Sequence, residues 1–362
     1  MTSSKTFDAL LALTRLGIGN PIVELPDSID WPAIEALANS QGLSAVVLDG
    51  IEELRKRSSN IVLPEKKVLT QWIGEVLHGY EYRFELYRRA IAEMAGFYNS
   101  HGYKMMVLKG YACSLDWPKP EHRPTGDIDI WQFGKQKEAD AALKREKGIE
   151  IDSSHHHHTV FSWRDFMVEN HYDFINVHHH KSNAGFEKIL KRLGEDDTYS
   201  VEVNGERVYL PSPNLHALFL LKHLMMHFAS EGILLRQVVD WGFFVDKHGK
   251  DVDWNYVLDV LKEFGMCQMF NIINAICVGD LGFNVALFPT VQFDPCLKDK
   301  VVNEILAPQY SARLPKNIFS RVVFKARRWR DNAWKHELCY KESMWSAFWS
   351  GVWNHLLKPN SI

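Results

Sequence analysis

Residues 127–130 read Asp127-Ile128-Asp129-Ile130 directly after Arg123-Pro124-Thr125-Gly126, and few stretches of this chain restrict its fold as tightly. Acid and isoleucine alternate with the two-residue period of a β-strand. Asp127 and Asp129 therefore share one face, and Ile128 and Ile130 the other. The Cα atoms of the two acids then stand about 6.5–7 Å apart. The chain must build a sheet that buries isoleucines on one side and carries two like charges on the other. Like charges among apolar neighbours disfavour each other's ionisation, and a divalent cation removes that penalty directly. Carboxylate oxygens suit Mg²⁺ at about 2.1 Å, with Mn²⁺ the near alternative. The plainer reading of the pair is a solvated strand end after a turn.

A third acid lies in Phe166-Met167-Val168-Glu169-Asn170-His171, another strand candidate. If the two strands are neighbours, Glu169 completes a three-carboxylate cluster suited to two-metal phosphoryl or nucleotidyl transfer. Asp173 has the same strand parity and is its rival. His171 shares that parity too and can face substrate or a metal-bound water. Upstream, the apolar run 104–109 stops at Gly110, where the backbone can be approached closely and neighbouring amides can receive a phosphate. Lys109 or Arg123 would add positive charge against a phosphoryl group in transfer.

The rest of the chain supplies the frame. The first hundred residues are helical by pattern, with Pro32 and Pro64 as start signals. Trp72, Ile73, Val76, Tyr80, Phe84, Tyr87 and Ile91 recur at helical spacing within 65–98. Residues 100–210 read as a compact unit with a mixed sheet: strands at 104–109, 128–133, 160–163 and 166–174, a helix at 135–147, and a hairpin around Asn204-Gly205. Pro211 and Pro213 mark a boundary. Helices follow at 215–228, 234–244, 256–264, 268–278, 317–329 and 342–357. The expected class is α+β, a small mixed-sheet domain at 100–210 between a helical segment at 1–99 and a helical domain at 211–362.

Composition narrows the functions. A formal charge of -3, from 42 Lys plus Arg against 45 Asp plus Glu, argues against non-specific nucleic-acid binding. Five widely spaced Cys without a CxxC pair indicate neither a zinc knuckle nor a disulfide scaffold. The N-terminal residues read as an amphipathic helix rather than a signal peptide, and no apolar run approaches the ~20 residues of a membrane span. The expected location is the cytoplasm.

In order, the chain shows a strand ending Leu108-Lys109-Gly110, a proline-containing loop, Arg123-x-x-Gly126-Asp127-Ile128-Asp129-Ile130, and a later strand with Glu169 and His171. This order resembles the bacterial uncharacterised nucleotidyltransferase family of the DNA polymerase β-like superfamily. The resemblance implies a minimal nucleotidyltransferase domain between helical segments. It places Gly110 at the first glycine of the superfamily turn, Asp127 and Asp129 as the metal-binding pair, and Glu169 as the third acid. Lys109, Arg123, Gly126 and His171 fall where the family has Lys, Arg, Gly and His. The likeness continues through His223, His227, Arg236 and Asp240, which resemble a family segment proposed to line the cleft, and on to Asp253-Trp254. Tyr111 departs from the wider superfamily, where Gly or Ser is common.

Eight of the 17 His lie between residues 155 and 180. Consecutive strand residues point to opposite faces, so His155 to His158 are not expected to serve one ion together; a polar strand edge or substrate-facing loop is the expected role. His223 and His227 share a helix face but lack the glutamate of an HExxH protease. The plainer reading of this segment is a helix–helix hydrogen-bond network, with Asp240 pairing with Arg236 four residues before it. Trp345, Trp349 and Trp353 make one apolar helix face, expected to pack on the helical domain or in a homo-oligomer seam.

The leading expectation is transfer of a nucleoside monophosphate from an NTP, with Mg²⁺, to an unidentified acceptor, a small molecule being favoured over RNA or protein. A metal-dependent phosphohydrolase and a non-catalytic nucleotide-binding regulator are the alternatives.

Overall fold

The computed structural model describes residues 4–345, apart from 22–23, 27, 58–62, 179, 197–198, 290–291 and 311–316. The apolar helix expected at 342–357 thus lies, from 346 onward, outside the described residues.

Six strands form one mixed sheet: β1 (Met106–Val107), β2 (Ile128–Trp131), β3 (His158–Trp163), β4 (Phe166–His171), β5 (Tyr199–Val203) and β6 (Glu206–Leu210), in the order β3-β4-β2-β1-β6-β5. β2 runs parallel to β4 and antiparallel to β1, while β1 runs parallel to β6. The β5–β6 hairpin turns through Asn204 and Gly205, both at positive φ, as its Asn-Gly pair requires.

Among the described residues fifteen α-helices accompany the sheet. Before it come α1 (Ser4–Gly17), α2 (Trp31–Ser40), α3 (Ser44–Arg57), α4 (Lys66–Val76) and α5 (Tyr82–Ser100). Among the strands lie α6 (Lys109–Ser114), α7 (Gln136–Lys147) and α8 (Lys181–Asp196). After it come α9 (Pro213–Ser230), α10 (Leu235–His248), α11 (Trp254–Glu263), α12 (Cys267–Ala275), α13 (Pro295–Leu306), α14 (Ile318–Asp331) and α15 (Ala333–Cys339). Among the described residues no helix is long and apolar enough to cross a membrane.

The two sheet faces belong to different cores. Ile128, Ile130 and Val168 pack against Tyr87, Ile91 and Met94 of α5 and Leu143 of α7. On the opposite face Met106, Leu108 and Trp131 join a larger core that contains α1 to α4 and α8 to α13. The helices before and after the sheet therefore meet in one apolar interior. Gln41 bonds both ways across it, from Nε2 to the Ile305 carbonyl at 3.0 Å and from Oε1 to the Leu235 amide at 2.8 Å.

The long helix expected at 65–98 is broken by a π-helical turn, Leu77–Glu81. Its extra residue rotates the apolar stripe. Trp72 and Val76 face the helical core, whereas Phe84, Tyr87 and Ile91 face the sheet. α8 has no counterpart among the expected elements, because glycines dilute its pattern. Gly194 is there for close packing: a Cβ would stand 2.9 Å from the Trp131 ring. α13 was equally unforeseen, although Asp294 caps it by accepting from the Cys296 and Leu297 amides.

α8 also pins the turn after β4. Buried Glu187 accepts the Phe174 and Ile175 amides at 2.9 and 3.0 Å, and burial pushes its carboxyl up to about 7. A folded-state value above the unfolded one means the contribution to stability is complete below about pH 4.5 and is lost as pH rises through 7. The unfolding free energy of the wild type relative to Glu187→Gln should therefore fall by about 3 kcal/mol across that window, measured by urea titration at successive pH values.

Candidate active site

The β2–β4 register sets Asp129 directly opposite Glu169, and Trp131 opposite His171. Because β1 is antiparallel to β2, the Leu108 amide bonds the Asp129 carbonyl at 2.9 Å, and the next residue brings an ammonium to the same place. Lys109 Nζ lies 2.9 Å from Asp129 Oδ1 and 2.9 Å from His223 Nε2. His171 Nε2 lies 3.1 Å from the same Asp129 oxygen and 3.6 Å from Glu169 Oε2. On the reverse face of β4, Asn170 donates to Asp140 at 2.7 Å and to Gln132 at 3.1 Å, which locks the strand that presents Glu169 and His171.

Charge is densely compensated here. Burial alone would raise the Asp129 carboxyl, but the Lys109 ammonium and the His171 ring outweigh it and hold the group well below the usual carboxylate range. Burial likewise opposes protonation of His171, yet bonds to Asp129 and Glu169 push it up to about 9. Asp127 goes the other way, raised by burial and then by the neighbouring Asp129 charge. His223 is held well below its ordinary value by burial and by Lys109, so it is a neutral acceptor for that ammonium.

Donor atoms of Asp129, Glu169 and His171 come within 4.8 Å of one another. Asp129 Oδ2 is buried and accepts no hydrogen bond. A free carboxylate oxygen facing two further donors fits a divalent cation, which would satisfy it. Asp127 stands outside this close group. It is the last residue before β2, and only its carbonyl is tied down, by the Tyr87 hydroxyl at 2.8 Å. The rival acid Asp173 is turned away, paired with Lys191 of α8.

Between the sheet and helices α9 and α10 lies a cavity of about 110 Å³, bounded by Lys109, Gly126, Asp127, Asp129, His223 and Arg236. That volume takes a phosphoryl-sized group rather than a whole nucleotide, since ligand pockets generally span about 300–1,000 Å³. Arg236 donates from Nη1 to the Pro124 carbonyl at 3.2 Å, while its Nε is buried without a hydrogen-bond partner. His227 sits farther out, its Nε2 3.1 Å from His223 Nε2.

The pairing expected of Asp240 needs correction. Arg123 lines the cavity with its charge already paired: its Nε and Nη2 donate to the two oxygens of Asp240 at 2.8 and 2.9 Å, and Trp117 Nε1 donates a third bond to Asp240 at 2.9 Å. Asp240 therefore pairs with Arg123 across the fold, not with Arg236 one helical turn away. Gly110 also lines the cavity, at a φ of 32° that favours glycine, and a Cβ there would meet the Tyr87 hydroxyl at 2.7 Å. Asp253, to which the likeness extended, is the N-cap of α11, accepting from the Tyr256 amide. Tyr87 and Trp117 were invisible as site residues, because their helical and loop contexts read as ordinary apolar packing.

Residues 27–278 match the family described as uncharacterised nucleotidyltransferase, well over half of the chain. The chain belongs to that family. Its mixed sheet with flanking helices is accordingly a nucleotidyltransferase-like core. A crystal structure of an antigenic nucleotidyltransferase-like protein from Paracoccidioides brasiliensis is similar at 15% identity, with 49% of this chain and 87% of that chain covered and a TM-score of 0.33. No curated protein matches the chain.

Arg123→Met leaves Asp240 as a buried, uncompensated charge and should cost about 3–5 kcal/mol in urea unfolding, whereas Arg123→Met with Asp240→Leu should recover most of that loss. Tyr87→Phe removes one bond to the Asp127 carbonyl and should cost about 1 kcal/mol; Gly110→Ala, which adds backbone strain, should cost more in the same assay.

Proposed function

We propose that the chain transfers a nucleoside monophosphate from an NTP to a small-molecule acceptor. What carries the reading is the pairing of Asp129 with Glu169 on adjacent parallel strands, with Lys109 against Asp129 and a phosphoryl-sized cavity beside them. Asp127, Asp129 and Glu169 are the residues to hold Mg²⁺, and that ion, when bound, supplies charge neutralisation at the phosphoryl oxygens. An acceptor oxygen attacks the α-phosphorus, the bond to pyrophosphate breaks, and Glu169 takes the acceptor's proton. Lys109 and Arg236 face the cavity and would balance phosphate charge. His171, lying between Asp129 and Glu169, orients both carboxylates. The helices over the cleft and the formal charge of -3 favour a small acceptor over a polymer.

The test is product analysis with Mg²⁺ and each NTP. Pyrophosphate release with a nucleotidylated acceptor is expected, and Asp127→Asn should lower it by on the order of 100-fold while leaving the thermal midpoint near the wild-type value. Free phosphate without an adduct would assign hydrolysis instead. Nucleotide binding without turnover would leave a regulator.

A further inference from the structure

The histidine run at the start of β3 does not alternate as a strand would. Residues 155–157 form a bend, and the strand begins only at His158. That bend is clamped from the end of β4: the His157 carbonyl accepts the Tyr172 and Asp173 amides at 3.0 and 3.1 Å, and the Tyr172 hydroxyl donates to the His155 carbonyl at 3.0 Å. Thus fixed, two consecutive imidazoles reach the same side. His157 Nε2 and His158 Nδ1 lie 3.1 Å apart. Two imidazoles bound tetrahedrally to one ion at 2.0–2.1 Å hold their nitrogens about 3.3–3.4 Å apart, so this pair is nearly set for a shared ion.

A third ring completes the group. The His171 centroid lies 5.2 Å from that of His158 and 5.5 Å from that of His157. One nitrogen from each of the three comes within 4.8 Å of the others. The surroundings are those of metal-binding histidines. His171 Nδ1 meets the Asp173 carbonyl at 3.1 Å, which keeps a proton on Nδ1 and leaves Nε2 as the nitrogen on which a metal ion would replace the proton. Glu169 Oε1 stands 3.8 Å behind His158 Nε2, in the position of a carboxylate that orients a liganding ring. His157 Nδ1 is buried with no hydrogen-bond partner, so no other group competes for that ring.

We propose that His157, His158 and His171 form a binding site for a divalent transition-metal ion of the Zn²⁺ class, adjacent to the carboxylate centre and chemically distinct from it. Imidazole nitrogens select Zn²⁺, Co²⁺ or Ni²⁺, whereas an all-oxygen set selects Mg²⁺. Because His171 also touches Asp129 and Glu169, an ion that draws its Nε2 toward the imidazoles releases both carboxylates. Filling this site therefore primes the neighbouring centre. The imidazole site stands without the proposed transfer reaction; only this priming rests on it.

Co²⁺ is the probe, because its visible absorption reports nitrogen ligation and tetrahedral geometry. The full chain should take up one Co²⁺ with intense ligand-field bands, and Zn²⁺ should displace it. His157→Gln and His158→Gln, singly and together, should weaken Co²⁺ binding by about tenfold or more while the circular dichroism spectrum is unchanged, since the His157 clamp runs through its carbonyl. Asp127→Asn should keep the bands. Bands that survive the double histidine variant, or that vanish in Asp127→Asn, would overturn the site. Mg²⁺-dependent NTP binding, measured separately by calorimetry, separates the two readings: its absence with the cobalt spectrum intact counts against the proposed transfer reaction and not against this metal site.

Discussion

A carboxylate with 1% of its side chain exposed, as Asp129 has, is sustainable only with opposite charge in contact. Lys109 and His171 provide it from two directions, one at the end of β1 and the other at the end of β4. That single requirement explains why a two-residue strand is worth keeping in the middle of the sheet. β1 contributes little ladder of its own. Running antiparallel to β2, it delivers an ammonium to the one place where an anion would otherwise be stranded.

The helical frame solves a second version of the same problem. Asp240 on α10 receives three donated hydrogen bonds from the loop between β1 and β2, two from Arg123 and one from Trp117. This ties the loop that precedes Asp127 to the helices behind it. Arg236, one turn earlier on α10, is left facing the cavity. The two arginines thus divide their work by position: Arg123 holds the loop, and Arg236 remains near whatever occupies the cleft.

Much of this was readable in the residues. The acid–isoleucine alternation foretold β2 with its buried and charged faces, and the residues around Glu169 and His171 a second strand, because strand period is a local property; that the two strands are neighbours was only a condition of the reading. The Asn204-Gly205 turn was legible for the same reason. What escaped depends on partners distant in sequence. The pairing of Arg123 with Asp240 spans more than a hundred residues, and nothing local distinguishes it from Arg236 pairing within its own helix. α8 was hidden because Gly194 serves the Trp131 ring rather than helix propensity. Strand parity does not govern the histidine run, since residues 155–157 form a bend clamped by Tyr172 and Asp173. By contrast, the Asp294 cap and Pro295 of α13 were local signals that went unread.

The shared interior of the flanking helices has a consequence for how the molecule is made. Helices α1 to α3 pack on one another and share one apolar interior with the helices that follow the sheet, and Gln41 closes its two bonds only with residues 235 and 305. During synthesis the first hundred residues emerge long before those partners exist. In sequence the sheet separates the two sets of helices that make this core, which is complete only when α13 has been synthesised. Until then the leading helices can cover only the apolar surface they share with one another, and the remainder stays exposed on the nascent chain.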